Sequence, residues 1–154
     1  MDAPALIEDK GDEPPDDLGD LNGIVGFHIR LAHGAVYRHF TETFVDLDLT
    51  QKQASTLWLV NARPGISQID LGGRLRMDRA TTMTIVNRLQ ERGYMRRERS
   101  ESDGRKQALY VTAAGLAALA DAKAAIAEHE AWLKARFTPE ETEKLVEMLT
   151  RIHE

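Results

Sequence analysis

The segment from Asp78 to Thr112 limits most strongly what this chain can fold into, because its pattern of apolar residues changes halfway along. The first half keeps the 3.6-residue period of a helix and places four residues on one side: Thr82, Ile85, Val86 and Leu89. Asp78 is a candidate N-cap, and Gly93 stands where a glycine can end a helix. These features predict a helix with one buried face and one free face.

The second half has the pattern of two short strands. Residues 94–99 and 106–111 alternate between apolar and polar side chains, and Asp103-Gly104 between them is a turn signal. We therefore expect a two-stranded β-hairpin directly after the helix.

A shorter helix is predicted before Asp78. Ser67 can cap a helix that runs to Leu75, after which two residues turn the chain into Asp78. Gly72 and Gly73 indicate that this helix packs tightly against the next one. Two helices joined by a short turn and followed by a hairpin form a winged helix-turn-helix, which we place at residues 50–112.

The winged helix-turn-helix is expected to begin with a capped helix and to be flanked by longer ones. Thr50 and Gln53 fit a capping box, in a helix whose inward face would be Ala54, Leu57 and Trp58. Residues 21–45 and 113–154 keep helical periods with more apolar surface than a compact domain needs, which favours a homodimer. The expected apolar positions of the last two helices are Leu116, Leu119, Ile126 and Trp132, then Leu145, Met148, Leu149 and Ile152.

The predicted fold class is mainly α with a small β-wing (α+β), in which long N- and C-terminal dimerisation helices flank the winged helix-turn-helix. Residues 1–20 contain eight acidic residues and three prolines, so we expect a disordered acidic tail there and a single domain over residues 21–154.

Composition excludes several classes of function. None of the 154 residues is cysteine, so disulfides, thiolate metal sites and thiol nucleophiles are absent. No apolar run approaches the length of a membrane span, and the acidic start is unlike an export signal. We predict a cytoplasmic protein without a membrane partner. No phosphate loop, nucleophile elbow or carboxylate pair indicates an enzyme, and no cofactor is implied.

Charge is distributed unevenly. Residues 74–106 contain ten Arg and Lys against five Asp and Glu, although the whole chain has a net charge of -5. Clustered cations on a helix and hairpin favour DNA, because phosphate binding releases condensed counterions. A solvated surface without a ligand is the competing interpretation of this charge.

The chain from about Leu21 to its end resembles the MarR (multiple antibiotic resistance regulator) family of winged-helix transcription factors, and the match is densest from Leu71 to Gly115. The resemblance rests on Leu71, Arg88-Leu89, Gly93, Arg97, Asp103 to Arg105, Val111-Thr112 and Gly115. Three residues depart from the family pattern: Gly73 replaces a bulkier residue, Arg76 a common turn glycine and Val111 a leucine. These departures affect local turn geometry more than fold.

The resemblance implies a DNA-binding set: Arg74, Arg79, Thr81, Thr84, Arg88, Arg97, Asp103 and Arg105. Arg105 would enter the minor groove, with Asp103 fixing the wing. Thr81, Thr84 and Arg88 would approach the major groove or phosphates of a pseudo-palindromic operator. Arg74 and Arg97 would support the domain or bind phosphate.

The resemblance also implies a small-molecule effector that releases a repressor from DNA. Its expected lining is His28, Arg30, His33, Tyr37 and Trp58, suited to an aromatic carboxylate or an acyl-CoA thioester. The competing interpretation places Tyr37 and Trp58 in the core and Arg30 in solvent.

Two other functions remain as alternatives. A winged helix can serve as a protein-interaction module without sequence-specific DNA binding. A metal-responsive regulator could use His28, His33, His39 and His129, although a spacing of five residues between His28 and His33 suits one helix face poorly. We therefore assign no metal ligands.

Overall fold

The computed structural model describes residues 18–102 and 104–154, and the predicted tail lies almost wholly outside them. The chain divides into two compact units, Met1–Tyr37 and Arg38–Glu154. The described helices are α1 Val25–Thr43, α2 Gln51–Ala62, α3 Gln68–Arg74, α4 Arg79–Glu91, α5 Ala113–Lys134 and α6 Pro139–His153, with short 3-10 helices at Gly19–Gly23 and Val45–Leu47. The strands are β1 Ile66–Ser67, β2 Met95–Arg99 and β3 Gln107–Val111. The fold is thus mainly helical with a small sheet, as predicted.

The sheet has three antiparallel strands in the order β1-β3-β2. The predicted hairpin is β2 and β3, in a register that pairs Met95 with Val111 and Arg99 with Gln107. The third strand, β1, was not predicted, because two residues are too few to show a period of two. Its pairing of Ile66 with Leu109 ties the start of α3 to the wing.

The core of the second unit lies where the helix-turn-helix meets α2 and the sheet. Leu57, Leu71, Leu89 and Leu109 are fully buried and come from α2, α3, α4 and β3. Burial of each such side chain stabilises the fold by about 1.5–3 kcal/mol. These contacts fix α3 and α4 relative to the wing.

The helix starts are capped by the residues that the sequence indicated. Capping boxes form at Thr50 with Gln53 and at Thr138 with Glu141. Ser67, Asp78 and Thr112 also accept a hydrogen bond from the third backbone N–H of their helices. Each such cap satisfies one of the N–H groups that a helix start leaves without a partner.

Two local predictions were wrong. Trp58 was expected to face inward but is 39% exposed, because the buried face of α2 is filled by Thr56, Leu57 and Val60. The first helix does not run unbroken from residue 21, because the extended backbone of Ile24 separates α1 from the preceding 3-10 helix.

Within residues 18–102 and 104–154, no helix is both long enough and apolar enough to cross a membrane.

Candidate nucleic-acid interface

The turn between α3 and α4 is tight and is held by backbone hydrogen bonds. Arg76 adopts a left-handed backbone with φ of 53°, which turns the chain between the two helices. The Met77 N–H then donates to the Gly72 carbonyl at 2.9 Å. A short turn of this kind presents α4 at a fixed angle to α3.

Helix α4 buries one face and exposes the other, as its period predicted. Thr82, Ile85, Val86 and Leu89 are buried. The exposed residues are Arg79, Ala80, Met83, Thr84, Asn87, Arg88, Gln90 and Glu91. Short polar side chains and arginines together suit an approach to base edges and phosphates.

The start of α4 is organised by Asp78. Its carboxylate accepts from the Thr81 N–H at 2.7 Å and from the Thr81 hydroxyl at 3.0 Å. The hydrogen bond from the Thr81 backbone, followed by that from its side chain, lowers the pKa of Asp78 below its ordinary value. The cap therefore stays ionised at neutral pH and holds the first turn of α4.

The hydroxyl protons of both predicted threonines are engaged within the helix. Thr81 donates to Asp78, and Thr84 donates to the Ala80 carbonyl at 3.0 Å. Each threonine can therefore offer a ligand the lone pairs of its hydroxyl oxygen and its methyl group, but not a hydroxyl proton. Thr84 is exposed and Thr81 half-buried, so Thr84 is the more accessible of the two.

The predicted arginines occupy different places in the fold. Arg74 ends α3, Arg79 begins α4, and Arg105 lies in the wing loop; all three are exposed. Arg88 forms an exposed ion pair with Glu91 at 3.7 Å, which an incoming phosphate can displace at small cost. Asp103, the predicted partner in the wing, lies outside the described residues.

Arg97 differs from these arginines because its guanidinium joins three elements. From β2 it donates to the Gln90 Oε1 atom at 2.6 Å and to the Asn87 Oδ1 atom at 2.7 Å, both on α4. It also donates to the Gln68 Oε1 atom of α3 at 3.1 Å. This arrangement favours the supporting role considered for Arg97 and places the wing strand against the helix-turn-helix.

Several residues of this surface were absent from the predicted DNA-binding set. Asn87 and Gln90 are exposed on α4 and contact Arg97. Ile69 and Met83 are 64% and 51% exposed and line a groove of about 530 Å³ between α3 and α4. Asn87 lies away from the buried positions of the helical period, but nothing in the sequence links it to an arginine ten residues later.

The predicted effector residues are divided between the two units. In the first unit, Arg30 lies over the Phe27 ring at 5.1 Å, and the rings of His33 and Tyr37 stack at 6.4 Å. The Nε2–H group of His28 donates to the Asn22 carbonyl at 2.7 Å, because a carbonyl oxygen can only accept. In the second unit, the Lys123 Nζ atom lies over the Trp58 ring, 4.9 Å from the ring centre. Tyr37 and Trp58 are both exposed, so neither is a core residue of the chain.

Comparison with known proteins identifies the family. Residues 49–106 match the MarR family. A protein of Thauera aromatica, named as a transcriptional regulatory protein for the hcr operon, is 30% identical over 136 residues, which cover 88% of this chain and 82% of that protein. The transcriptional repressor CouR, solved bound to a 23-mer DNA duplex, has a TM-score of 0.86 at 31% identity, over 90% of this chain and 99% of CouR. The PcaV regulator of Streptomyces coelicolor, solved with its natural ligand, has a TM-score of 0.78 at 26% identity, over 88% and 95% of the two chains. This chain therefore belongs to the MarR family of transcriptional regulators.

Proposed function

We propose that the protein is a homodimeric, sequence-specific regulator that binds double-stranded DNA and acts as a repressor released by a small molecule. The observation that carries this proposal is the exposed face of α4, with short polar and arginine side chains, beside a wing rich in arginine. The likeness to CouR, a repressor that was solved bound to a 23-mer DNA duplex, supports DNA as the ligand.

The charge of the proposed interface supports DNA over a protein partner. Arg74, Arg79, Arg99, Arg105 and Lys106 are all exposed. Clustered exposed cations bind DNA through counterion release, so affinity should fall steeply as the salt concentration rises. A protein-interaction module would be bound through apolar surface and would show a much weaker dependence on salt.

The experiment is a selection of duplexes from a randomised library by the purified protein, followed by salt titration on the selected and on random duplexes. We expect a pseudo-palindromic site that is bound more tightly than random sequence. Arg105→Ala should weaken binding to the selected site by about 1–3 kcal/mol. Arg38→Ala removes an equal charge from an exposed position on α1 and should leave affinity nearly unchanged. Equal binding to selected and random duplexes would refute the proposal.

The dimer is proposed from the apolar stripe of α6. No residue of α6 is buried, and Met148, Leu149 and Ile152 of this stripe are between 42% and 63% exposed. An apolar stripe on a helix without buried residues favours association with a second copy. Ile152→Lys should shift the protein to monomer in analytical ultracentrifugation, whereas Glu143→Lys, an exposed acidic position of the same helix, should not. A wild-type protein that sediments as a monomer at all concentrations would refute the dimer.

The small-molecule response is proposed from the chemistry of the first unit and from the ligand-bound PcaV structure. Arg30 supplies a cation, and Phe27, His33 and Tyr37 supply rings, which suits an aromatic carboxylate or an acyl thioester. A thermal-shift screen of such compounds should find one that raises the melting temperature and lowers DNA affinity. Arg30→Ala should abolish the shift, and Arg38→Ala should retain it. If no carboxylate or thioester both shifts melting and changes DNA affinity, this part of the proposal is wrong.

A further inference from the structure

The groove between α3 and α4 is lined mainly by apolar and small residues, although the surface around it is polar and charged. Ile69 on α3 and Met83 on α4 are both more than half exposed, and both line this groove. Its lining also includes Gly72, Gly73 and Met77. The other exposed residues of α4 are polar, charged or alanine. A single exposed apolar side chain needs no explanation, but two that share one groove indicate a partner with an apolar group.

The charges at the groove favour DNA as that partner. The ionisable residues of its lining are Asp78 and Arg79. The Asp78 carboxylate accepts two hydrogen bonds from Thr81, so it is engaged at the start of α4. Arg79 is exposed, as is Arg74 at the end of α3. Exposed cations beside an apolar groove match a ligand that combines phosphates with an apolar group, and duplex DNA is such a ligand.

Met83 lies in the part of α4 that can meet base edges. It is the fifth residue of the helix and is exposed on the half of the helix that also carries Ala80, Thr84 and Asn87. When a recognition helix enters the major groove, residues near its N-terminus contact the bases. The base-specific apolar group in the major groove is the 5-methyl group of thymine. An unbranched methionine side chain can adjust its shape to pack against such a group.

We propose that Met83 contacts the 5-methyl group of one thymine in each half-site and makes thymine the preferred base at that position. The proposal rests on the proposed DNA-binding function and adds one specificity-determining residue to it. Uracil provides a matched test of this contact, because it pairs with adenine as thymine does and lacks only the methyl group.

The experiment replaces each thymine of the selected duplex by uracil, one position at a time and in both half-sites. For the wild type, we expect one position at which the replacement weakens binding. The loss of one buried methyl group corresponds to about fourfold in affinity, so replacement in both half-sites should weaken binding by about fifteenfold.

Two variants of Met83 test whether this residue makes the contact. Met83→Ala should bind the thymine and uracil duplexes equally well at that position and respond as the wild type does at every other thymine. Met83→Gln keeps the length of the side chain but places a polar amide at its end, so it should lose the preference for thymine as well. Circular dichroism and affinity for random duplex check that both variants are folded.

Thr84 is the rival reader, because its methyl group is also exposed on α4. Thr84→Ser removes that methyl group and retains the hydroxyl group that donates to the Ala80 carbonyl. This variant should keep the preference for thymine over uracil at the Met83 position. A preference that is lost in Thr84→Ser and kept in Met83→Ala would assign the contact to Thr84 and overturn the proposal.

Oxidation of Met83 shows whether the groove faces DNA. Met83 is exposed, so hydrogen peroxide should convert it to the sulfoxide in the free protein. A saturating amount of the selected duplex should slow this reaction several-fold, as measured by mass spectrometry of the peptide that contains Met83. Equal rates with and without the duplex would mean that the groove serves another ligand, and the proposal would be wrong.

The remaining outcomes separate this proposal from the proposed function. If the wild type selects a defined site in which no uracil replacement weakens binding, the contact with thymine is wrong and the regulator function stands. If Met83→Ala weakens binding to selected and random duplexes equally and keeps the preference for thymine, Met83 packs against the DNA backbone and does not read a base. If the wild type selects no sequence at all, the proposed function itself fails.

Discussion

Gly72 faces Thr82 across the contact between α3 and α4, and a Cβ atom on the glycine would lie 2.7 Å from the Thr82 hydroxyl oxygen. Thr82 cannot move aside easily, because it is buried and its hydroxyl donates to the Asp78 carbonyl at 2.8 Å. We predict that Gly72→Ala lowers the free energy of unfolding by about 1–3 kcal/mol through overpacking. Urea denaturation of the purified variant measures this loss.

Gly73 provides the matched control. A Cβ atom on Gly73 would meet nothing within 4 Å. Alanine is favoured over glycine in a helix by up to about 1 kcal/mol, so Gly73→Ala should be neutral or stabilising. Equal stability of the two alanine variants would show that the two helices are not packed closely at Gly72.

Arg76 is a left-handed residue in the turn, at φ of 53°, and this conformation costs a residue with a Cβ atom about 1 kcal/mol or more. We predict that Arg76→Gly is more stable to urea than Arg76→Ala by about 1 kcal/mol. Both variants remove the same charge, so the difference between their free energies of unfolding reports the cost of the left-handed backbone. A more stable alanine variant would contradict the strained turn.

The sequence predicts those parts of the fold that are determined locally. Caps at Thr50, Asp78 and Thr138 depend on a side chain and a backbone N–H three residues later, so a short motif reveals them. The period of α4 likewise predicts its buried face. Strand β1 has only two residues, and its existence depends on pairing with β3, more than 40 positions along the chain. Non-local pairing of this kind leaves no local pattern.

The candidate site also combines features that the local sequence predicts with features that depend on how distant segments pack. Exposure of Arg79, Thr84 and Arg88 follows from the helical period. The hydrogen bond from Arg97 to Asn87 does not follow from the helical period, because it depends on how the hairpin packs against α4. The inward placement of Trp58 failed for a related reason: an aromatic residue at a helical position is not buried unless another element covers it.

Asp78 links the start of α4 to pH. Its pKa is lowered by the hydrogen bond from the Thr81 N–H, so the folded state binds a proton less readily than the unfolded chain. The stabilisation is therefore present above the unfolded pKa and is lost as the pH falls through the lower folded value. Asp78→Asn keeps a side-chain oxygen for the cap but no charge. We predict that the wild type has a higher free energy of unfolding than Asp78→Asn at pH 7. Urea titrations should show that this difference becomes smaller below about pH 4. A difference that is constant with pH would contradict an ionised cap.

His129 gives the second unit a pH dependence of its own. Its Nδ1 atom lies 2.7 Å from the Nδ1 atom of His39, so one ring must donate while the other accepts, and both rings cannot be protonated there. Trp132 stacks on His39 and the edge of Phe40 meets His129, while the Thr43 hydroxyl lies 3.3 Å from the His39 Nδ1 atom. Burial, and next the charge of His39, lower the pKa of His129 despite the opposing effect of Glu130.

The sign of the pH effect follows from this lowered pKa. Between the ordinary histidine pKa near 6.5 and the lower pKa of His129 in the folded protein, the unfolded chain binds more protons than the folded protein. The free energy of unfolding therefore decreases as the pH is lowered through that window. We predict that the urea midpoint of the wild type decreases between about pH 7.5 and 5.5. His129→Gln retains a hydrogen-bonding partner for His39 but does not titrate, so its midpoint should change less. His153→Gln, at the exposed end of α6, is the matched control for the removal of one histidine, and its midpoint should follow that of the wild type. If His129→Gln keeps the full slope as well, the pH dependence arises from other groups.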